Sequence, residues 1–177
     1  WALYLLAFDE GVQDRAREEA RSVLGARTAE AEDVSQLPFI RAVLDETLRL
    51  YPPAAFLSRQ AAEADELLGA QVFPGDTVSV PVYAVHRHAR LWERPDAFLP
   101  ERFENGPPVD RYAYLPFGDG PRICIGARFA LQEATVILAT LLARFRFRAV
   151  PGKVPHPTLI ITLRPEPGVW LEVEALA

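Results

Sequence analysis

The decapeptide of residues 117–126 reads Phe117-Gly118-Asp119-Gly120-Pro121-Arg122-Ile123-Cys124-Ile125-Gly126 and contains the only cysteine of the 177-residue chain. Its three glycines free the backbone for positive φ angles and for close approach to a flat object, while the proline stiffens the turn. This stretch, called the Cys124 loop below, is therefore predicted to be a shaped loop. Apolar residues at three-to-four spacing follow it and predict a helix from about Ala127 to Leu142.

Cys124 is predicted to lie just before this helix, two residues after Arg122. The helix dipole and the guanidinium both favour a thiolate, which suits a soft metal ligand or a nucleophile. A lone cysteine more often packs as a small apolar side chain. A nucleophile would also need a histidine base, and no motif places His86, His88 or His156 near the cysteine. The residues alone leave these roles open.

The spacing F-x-x-G-x-R-x-C-x-G resembles, residue for residue, the haem-ligand loop of the cytochrome P450 monooxygenases. The resemblance implies that Cys124 is the proximal ligand of the haem iron, where a thiolate favours cleavage of the oxygen–oxygen bond. It also implies further haem-binding positions: Phe117 beside the sulfur, Gly118 in the loop, Arg122 on a propionate, Gly126 where the helix passes under the macrocycle, and Ala130 as a small residue against the haem.

Charge composition limits the expected partners. The chain has 19 Lys and Arg against 24 Asp and Glu, a net charge of −5, and no basic stripe, so nucleic acid is not an expected partner. The basic and aromatic residues 144–148 are too short a run to indicate nucleic-acid binding, and they predict a half-buried strand.

The cysteine count and the hydropathy limit the compartment. A single cysteine excludes an internal disulfide and fits a reducing compartment. The apolar residues 1–8 are too few to cross a bilayer, so no membrane segment is expected in this chain. With the alanine- and arginine-rich composition, these features predict a cytoplasmic, bacterial protein, and half of the residues are apolar, which is enough for one core.

The first part of the chain predicts helices. Residues 1–8 predict the end of one helix. Asp9 and Glu10 are expected to open a second helix that runs through about Leu24 and is closed by Gly25, with a solvated face that includes Arg17 and Glu19. Residues 26–34 predict a loop.

A third helix is predicted from Ser35, as its N-cap, to Tyr51, where two prolines end it. Glu46 and Arg49 stand three apart on one face, which alone most often means an ordinary surface ion pair. Their context resembles the K helix of the cytochrome P450 family, and the proline-rich residues 94–108 resemble its meander. The resemblance implies a structural triad of Glu46, Arg49 and Arg102 with no part in the chemical step.

Strands and turns are predicted in two further regions. The middle of the chain predicts short strands at 67–68, 71–73 and 77–80, with a turn at 74–76 that makes the last two a hairpin. The end predicts a hairpin of strands 159–163 and 169–173. His86 and His88 are predicted as turn residues before a short helix that ends near Trp92, because no third ligand nearby supports a zinc site.

The resemblance also nominates residues around the haem. Arg59 becomes a second propionate partner. The segment after the two prolines and the final hairpin approach substrate in the family, so the pocket candidates are Ala54, Ala55, Phe56, Ile161 and Thr162. For the first three, core packing is an equally good interpretation.

The expected fold is mainly α with small β-sheets (α+β), the C-terminal part of the cytochrome P450 fold with K helix, meander, Cys-ligand loop and L helix. Residues 1–177 are expected to form the C-terminal haem-binding portion of a single domain, with the N-terminal part and most of the distal helix absent.

The implied function is a haem-thiolate monooxygenase. It would use haem b (iron protoporphyrin IX), O2 and electrons from NAD(P)H to insert one oxygen atom into a small apolar organic substrate. The electrons would arrive through a ferredoxin- or flavoprotein-type reductase docked near Arg122 and Arg128. The alternative is a truncated, catalytically inactive fragment with residual haem binding or an interaction role, and the chain alone is expected to be inactive.

Overall fold

A computed structural model of the chain describes residues 1–106 and 110–176, so residues 107 and 108 of the predicted meander lie outside it. The described residues form five α-helices: α1 Ala2–Phe8, α2 Glu10–Leu24, α3 Pro38–Leu50, α4 Val82–Val85 and α5 Ala127–Arg144. Four short 3-10 helices lie at Ala31–Gln36, Pro100–Phe103, Arg111–Ala113 and Gly120–Arg122. The predicted helices α1, α2 and α5 are confirmed, with the end of α5 two residues later than expected.

Helices α1, α2, α3 and α5 pack with strand β5 (Phe145–Ala149) around the main hydrophobic core. Its fully buried members are Leu6, Ala16, Ala20, Leu37, Ile40, Val43, Ala139 and Leu142. A second, smaller cluster lies on another side of α3, where Ala42 meets Trp92 and Phe103. Helix α3 is thus packed on two sides, which fixes the position of any residue that it carries.

The start of α3 differs from the prediction. Ser35 lies in the 3-10 helix Ala31–Gln36, and α3 begins at Pro38 without a side-chain cap from its N-cap residue. Glu19 of α2 takes that role, because its carboxylate accepts hydrogen bonds from the backbone N–H groups of Phe39 and Ile40, both at 2.8 Å. Glu19 is therefore a cap supplied by a neighbouring helix.

The solvated face predicted for α2 is also wrong at Arg17, which is only 6% exposed. Its guanidinium donates to Gln13 (2.6 Å) and pairs with Asp14. Gln13 is itself buried and joins α2 to β5, donating to the carbonyl of Phe147 (2.9 Å) and accepting from its N–H (2.9 Å). Apart from Arg17 Nε, which has no hydrogen-bond partner among the described residues, these polar groups are satisfied inside the core, which their sequence spacing does not reveal.

The described strands form antiparallel pairs: β1 Leu57–Gln60 with β4 Thr77–Val80, β2 Asp65–Leu67 with β3 Ala70–Val72, β5 Phe145–Ala149 with β8 Leu171–Ala175, and β6 His156–Leu159 with β7 Leu163–Glu166. The predicted hairpin of residues 71–73 and 77–80 is wrong in its pairing. The chain turns instead at Leu68 and Gly69, whose φ angles of 52° and 83° suit the two-residue turn of a tight hairpin.

The final hairpin also differs from the prediction. Its turn lies between β6 and β7, and β8 pairs with β5 far back in the chain. The two strands carry opposite charges, since Arg146 lies opposite Glu174 and Arg148 forms an exposed ion pair with Glu174 at 2.6 Å. The half-buried strand predicted at 144–148 is confirmed as β5, with Phe147 buried.

Helix α4 ends before His86, so the short helix predicted between His86 and Trp92 is wrong. The carbonyl of His86 accepts a hydrogen bond from Arg49 Nη1 (2.8 Å), and His86 itself is fully buried. Trp92 is 1% exposed in the second cluster. Helices and small sheets together make an α+β mixture, as expected.

Candidate functional site

The Cys124 loop closes on itself at the head of α5. The backbone N–H of Cys124 donates to the carbonyl of Phe117 at 2.9 Å, which ties the two ends of the loop together. Gly118 and Gly120 have φ angles of 75° and 71°, in the left-handed region that other residues rarely adopt. The glycines thus supply the shape expected of this loop.

The Cys124 thiol is free and exposed. A Cβ atom placed on Gly126 would lie 3.9 Å from the sulfur, so the absence of a side chain keeps that side of the thiol open. Ala130, one turn into α5, is exposed, and Phe117 is half-buried. Sulfur, glycine and alanine therefore leave an open face at the start of α5.

The two arginines predicted to bind the propionates carry charges without acidic partners among the described residues. Arg122 and Arg59 are exposed, and neither forms an ion pair within residues 1–106 and 110–176. Asp119, the acid inside the Cys124 loop, is paired instead with Arg111, both of its oxygens lying 2.6 Å from Arg111 Nη2. The backbone N–H of Gly120 and this ion pair lower the pKa of Asp119. Neither predicted propionate partner has an acidic partner among the described residues, although Arg59 Nη1 donates to the carbonyl of Ser58 at 2.8 Å.

The structure joins the two segments nominated as substrate pocket. The N–H of Leu163 donates to the carbonyl of Pro53 (2.8 Å), which fixes the β6–β7 hairpin to the chain after α3. Phe56 and Ile161 are 53% and 90% exposed, so they offer an apolar surface to a ligand. Ala54 is half-buried and Thr162 is exposed.

Ala55 takes a different position from the other pocket candidates. It is 3% exposed, and its carbonyl accepts a hydrogen bond from the N–H of Tyr83 at 3.1 Å. The side chain of Ala55 therefore packs in the interior, which is the core-packing alternative given for residues 54–56.

Glu46, Arg49 and Arg102 meet between α3 and the meander. Arg49 donates to both oxygens of Glu46, at 2.7 and 2.8 Å, and both side chains are fully buried. Arg102 Nε lies 3.4 Å from Glu46 Oε1, close enough for an ion pair, although it makes no hydrogen bond there. The Glu46 carboxylate thus lies between two guanidiniums.

Glu46 and Arg49 of α3 also bind the backbone of the meander and of His86 before it. Arg49 donates to the carbonyls of His86 (2.8 Å), Pro95 (2.6 Å) and Ala97 (3.0 Å). Glu46 accepts from the N–H of Leu99 (2.9 Å). Hydrogen bonds to charged groups are stronger than neutral ones, so this pair acts as a template for an otherwise irregular segment.

His86 is a buried contact that the sequence did not predict. Its Nδ1 lies 3.1 Å from the carbonyl of Arg49, and its Nε2 accepts from the N–H of Leu115 at 2.8 Å. Burial lowers the pKa of His86 from 6.5 to about 4. The apolar residues Val82 and Val85 could have indicated that His86 is buried, because they place the start of this segment against the protein interior.

In the part of the chain that the structure describes, no group of three or more His, Cys, Asp or Glu residues could hold a metal ion. No helix there is long and apolar enough to cross a membrane.

Comparison with known proteins finds the sequence profile of the family described as "Cytochrome P450" over residues 1–172. Similar proteins include cyclooctatin synthase of Streptomyces melanosporofaciens, which is 40% identical over 93% of this chain and 37% of its own length. Cytokinin hydroxylase of Arabidopsis thaliana is 39% identical over 99% of this chain and 34% of its own length.

A human relative, cytochrome P450 4F8, is 38% identical over 99% of this chain and 35% of its own length. The chain thus spans about a third of the length of the curated relatives it matches. Because these relatives come from bacteria, plants and mammals, they do not support the bacterial origin expected from composition. The match over nearly the whole chain, with the Cys124 loop at the head of α5, shows that the chain belongs to the cytochrome P450 family.

Proposed function

We propose that the protein is a haem-thiolate monooxygenase that binds haem b through Cys124. The observation that carries this proposal is the free, exposed Cys124 thiol beside Gly126 in a loop held by its own hydrogen bond to Phe117. Family membership supports the reaction class. The described residues fit the group, since a thiol, two small residues and two unpaired arginines match an iron, a flat ring and two propionates.

Each residue of the site has one task in this proposal. Cys124 would supply the thiolate ligand of the haem iron, and Gly126 and Ala130 would leave room for the ring. Arg59 and Arg122 would neutralise the propionates, because both cations lack acidic partners in the described chain. When bound, thiolate-ligated haem supplies the activation and cleavage of dioxygen.

The apolar surface of Phe56 and Ile161, with Ala54 and Thr162, binds and orients a small apolar substrate and excludes water from it. The proposed reaction places one oxygen atom in the substrate and releases the other as water. Electrons come from NAD(P)H through a ferredoxin- or flavoprotein-type reductase, docked near Arg122 and Arg128, which are both exposed.

Glu46, Arg49 and Arg102 take no part in this chemistry and hold the scaffold. We further propose that the chain is the C-terminal haem-binding portion of a single domain. The cytoplasmic location and the inactivity of the chain alone stay predictions.

The absorption of the reduced, carbon monoxide-bound protein tests the ligand. We expect a thiolate-type Soret band in the haem-loaded protein, its loss in Cys124→Ser, and a histidine-type band in Cys124→His. Arg128→Gln, an exposed change in the first turn of α5, serves as the matched control and is expected to keep the thiolate-type band. A thiolate-type band that persists in Cys124→Ser, or a histidine-type band in the unchanged protein, contradicts the proposal.

A further inference from the structure

His86 connects the α3 scaffold to the start of the segment that leads into the Cys124 loop. On one side its ring contacts the carbonyl of Arg49, in the last turn of α3, at 3.1 Å. Carbonyls in a last helical turn have no partner within the helix, so this contact satisfies one of them. On the other side the ring accepts the N–H of Leu115 at 2.8 Å.

The two partners define the protonation state of the ring. A carbonyl oxygen can only accept, so Nδ1 must carry the proton, and a backbone N–H can only donate, so Nε2 must be unprotonated. The structure therefore requires the neutral Nδ1–H form of His86. A charged imidazolium would place a proton against the N–H of Leu115 and break that contact.

Backbone hydrogen bonds connect Leu115, the partner of His86, to Cys124. The carbonyl of Leu115 accepts from the N–H of Gly118 (3.1 Å), and the carbonyl of Phe117 accepts from the N–H of Cys124 (2.9 Å). The link back to α3 is doubled, because Arg49 Nη1 donates to the carbonyl of His86 (2.8 Å). An unbroken series of hydrogen bonds thus runs from the Glu46–Arg49 pair to Cys124.

The surroundings of His86 favour the neutral ring. The ring is fully buried, and the charged groups acting on it are Arg49 of α3 and the adjacent Arg87, both cations that oppose protonation. From the loop side it faces the ring of Tyr114, with centroids 5.4 Å apart, and the hydroxyl of Tyr114 is occupied by Asp45 (3.0 Å). Among these groups none accepts a proton from a charged His86.

We propose that His86 is a positioning residue for the thiolate ligand: in its neutral form it fixes the Cys124 loop to α3, and its protonation in acid releases the loop and weakens ligation by the sulfur. This rests on the proposed haem-thiolate function. His86 acts through Leu115 and touches no part of the site directly.

Two variants separate the two hydrogen bonds of the ring. His86→Gln places an amide oxygen near the Nε2 position and keeps an acceptor for Leu115, and it cannot be protonated. His86→Asn places its amide near the Nδ1 position, keeps the donor to Arg49 and leaves the N–H of Leu115 without a partner. His88→Gln is the matched control, because His88 is an exposed histidine two residues away.

The test measures backbone amide exchange at Leu115 and the fraction of thiolate-type absorption in the reduced, carbon monoxide-bound protein, both as the pH falls toward 4. In the unchanged protein and in His88→Gln, the Leu115 exchange rate, corrected for the intrinsic pH dependence of amide exchange, is expected to increase as the pH falls. The fraction of thiolate-type absorption is expected to fall over the same interval. His86→Asn is expected to exchange about tenfold faster already at neutral pH, the effect of losing one hydrogen bond, with a reduced thiolate fraction. His86→Gln is expected to keep both properties at neutral pH and to lose their acid dependence.

Equal Leu115 exchange in His86→Asn and the unchanged protein overturns the proposal, as does an acid loss of thiolate absorption that is identical in His86→Gln. Failure of the proposed function has a different result, since no protein in the series would then show thiolate-type absorption while the Leu115 exchange pattern still reports on His86.

Discussion

Among single residues, Gly120 and Gly126 lack a side chain for different reasons. Gly120 has a φ of 71° and open space where a Cβ would be, so only its backbone conformation requires glycine. Gly126 has an ordinary φ of −87°, and a Cβ there would meet only the sulfur of Cys124 at 3.9 Å. One glycine shapes the loop and the other leaves room beside the ligand.

Alanine substitutions at the two positions are therefore expected to change different properties of the protein. Gly120→Ala is expected to lower the free energy of unfolding by about 1–2 kcal/mol, the cost of a left-handed φ for a residue with a Cβ. Gly126→Ala is expected to change it by less than about 1 kcal/mol and to weaken haem binding strongly. Denaturant unfolding and haemin titration of both variants check this, and a haem affinity unchanged in Gly126→Ala would contradict the account of that residue.

His86 makes the stability of the protein depend on pH. Its pKa is about 4 in the folded protein against 6.5 as its ordinary value, because burial disfavours the charged ring. The unfolded chain therefore binds the proton first as the pH falls. The contribution of His86 is fully present above 6.5 and is lost as the pH falls through 4, up to about 3 kcal/mol from this one group.

Denaturant unfolding between neutral pH and pH 4 measures this loss, with His86→Gln as the comparison. The unchanged protein is expected to lose stability more steeply than the variant over this interval. Parallel pH profiles for the two proteins would show that the ring titrates normally in the fold.

Single residues differ in how far the sequence reveals them. Cys124 could be identified because a strict spacing of glycines and arginine surrounds it. Arg17 and His86 could not, since polar residues are ordinarily exposed. Arg17 is buried beside partners on its own helix, Gln13 and Asp14, whereas the partners of His86 lie in distant segments. Gln13 belongs to the same class, because its partner Phe147 is 134 positions away.

At the scale of elements, α3 depends on α2 for its first turn. Glu19 accepts the N–H groups of Phe39 and Ile40, which no side chain at the N-cap position satisfies. Glu19→Ala is expected to lower the free energy of unfolding by about 1–2 kcal/mol, as the loss of a good N-cap does.

Glu18→Ala, an exposed neighbour on α2, is the control and is expected to change stability by less than about 0.5 kcal/mol. Chemical denaturation of both variants gives the comparison. Equal stabilities would mean that the Glu19 carboxylate does not act as a cap.

The Glu46–Arg49 pair joins α3 to the meander, and Arg102 is its weaker partner. Glu46→Gln leaves the fully buried Arg49 without its counter-charge and is expected to cost about 3–5 kcal/mol. Arg102→Ala is expected to cost less than half of that, because its contact at 3.4 Å makes no hydrogen bond. Thermal unfolding of the two variants ranks them, and the reverse order would contradict this description of the triad.

The sequence predicted the limits of two helices better than it predicted which strands pair. The limits of α2 and α5 were predictable from apolar spacing and from Gly25. The pairing of β5 with β8 was not, because the residues that meet across it are far apart in the chain, such as Arg148 and Glu174 at 26 positions. Local patterns determine helices, whereas strand partners are chosen among all the strands of the fold.

For the whole molecule, the structure combines a rigid scaffold with an open site. The core around α1, α2, α3, α5 and β5 is closely packed, whereas Cys124, Ala130 and Ile161 are exposed. The fold class and the family could be predicted from the sequence, since the Cys124 loop, the Glu46–Arg49 spacing and the meander occur in one order. The substrate cannot be read from either, because the exposed Phe56 and Ile161 present an apolar surface that does not distinguish one apolar ligand from another.

The central claim is a bond between the sulfur of Cys124 and haem iron, and X-ray absorption at the iron edge measures it most directly. In the haem-loaded protein we expect one sulfur atom in the first coordination sphere of the iron, and in Cys124→Ser only nitrogen or oxygen. A first sphere without sulfur in the unchanged protein, or the same sulfur signal in both proteins, would contradict the account.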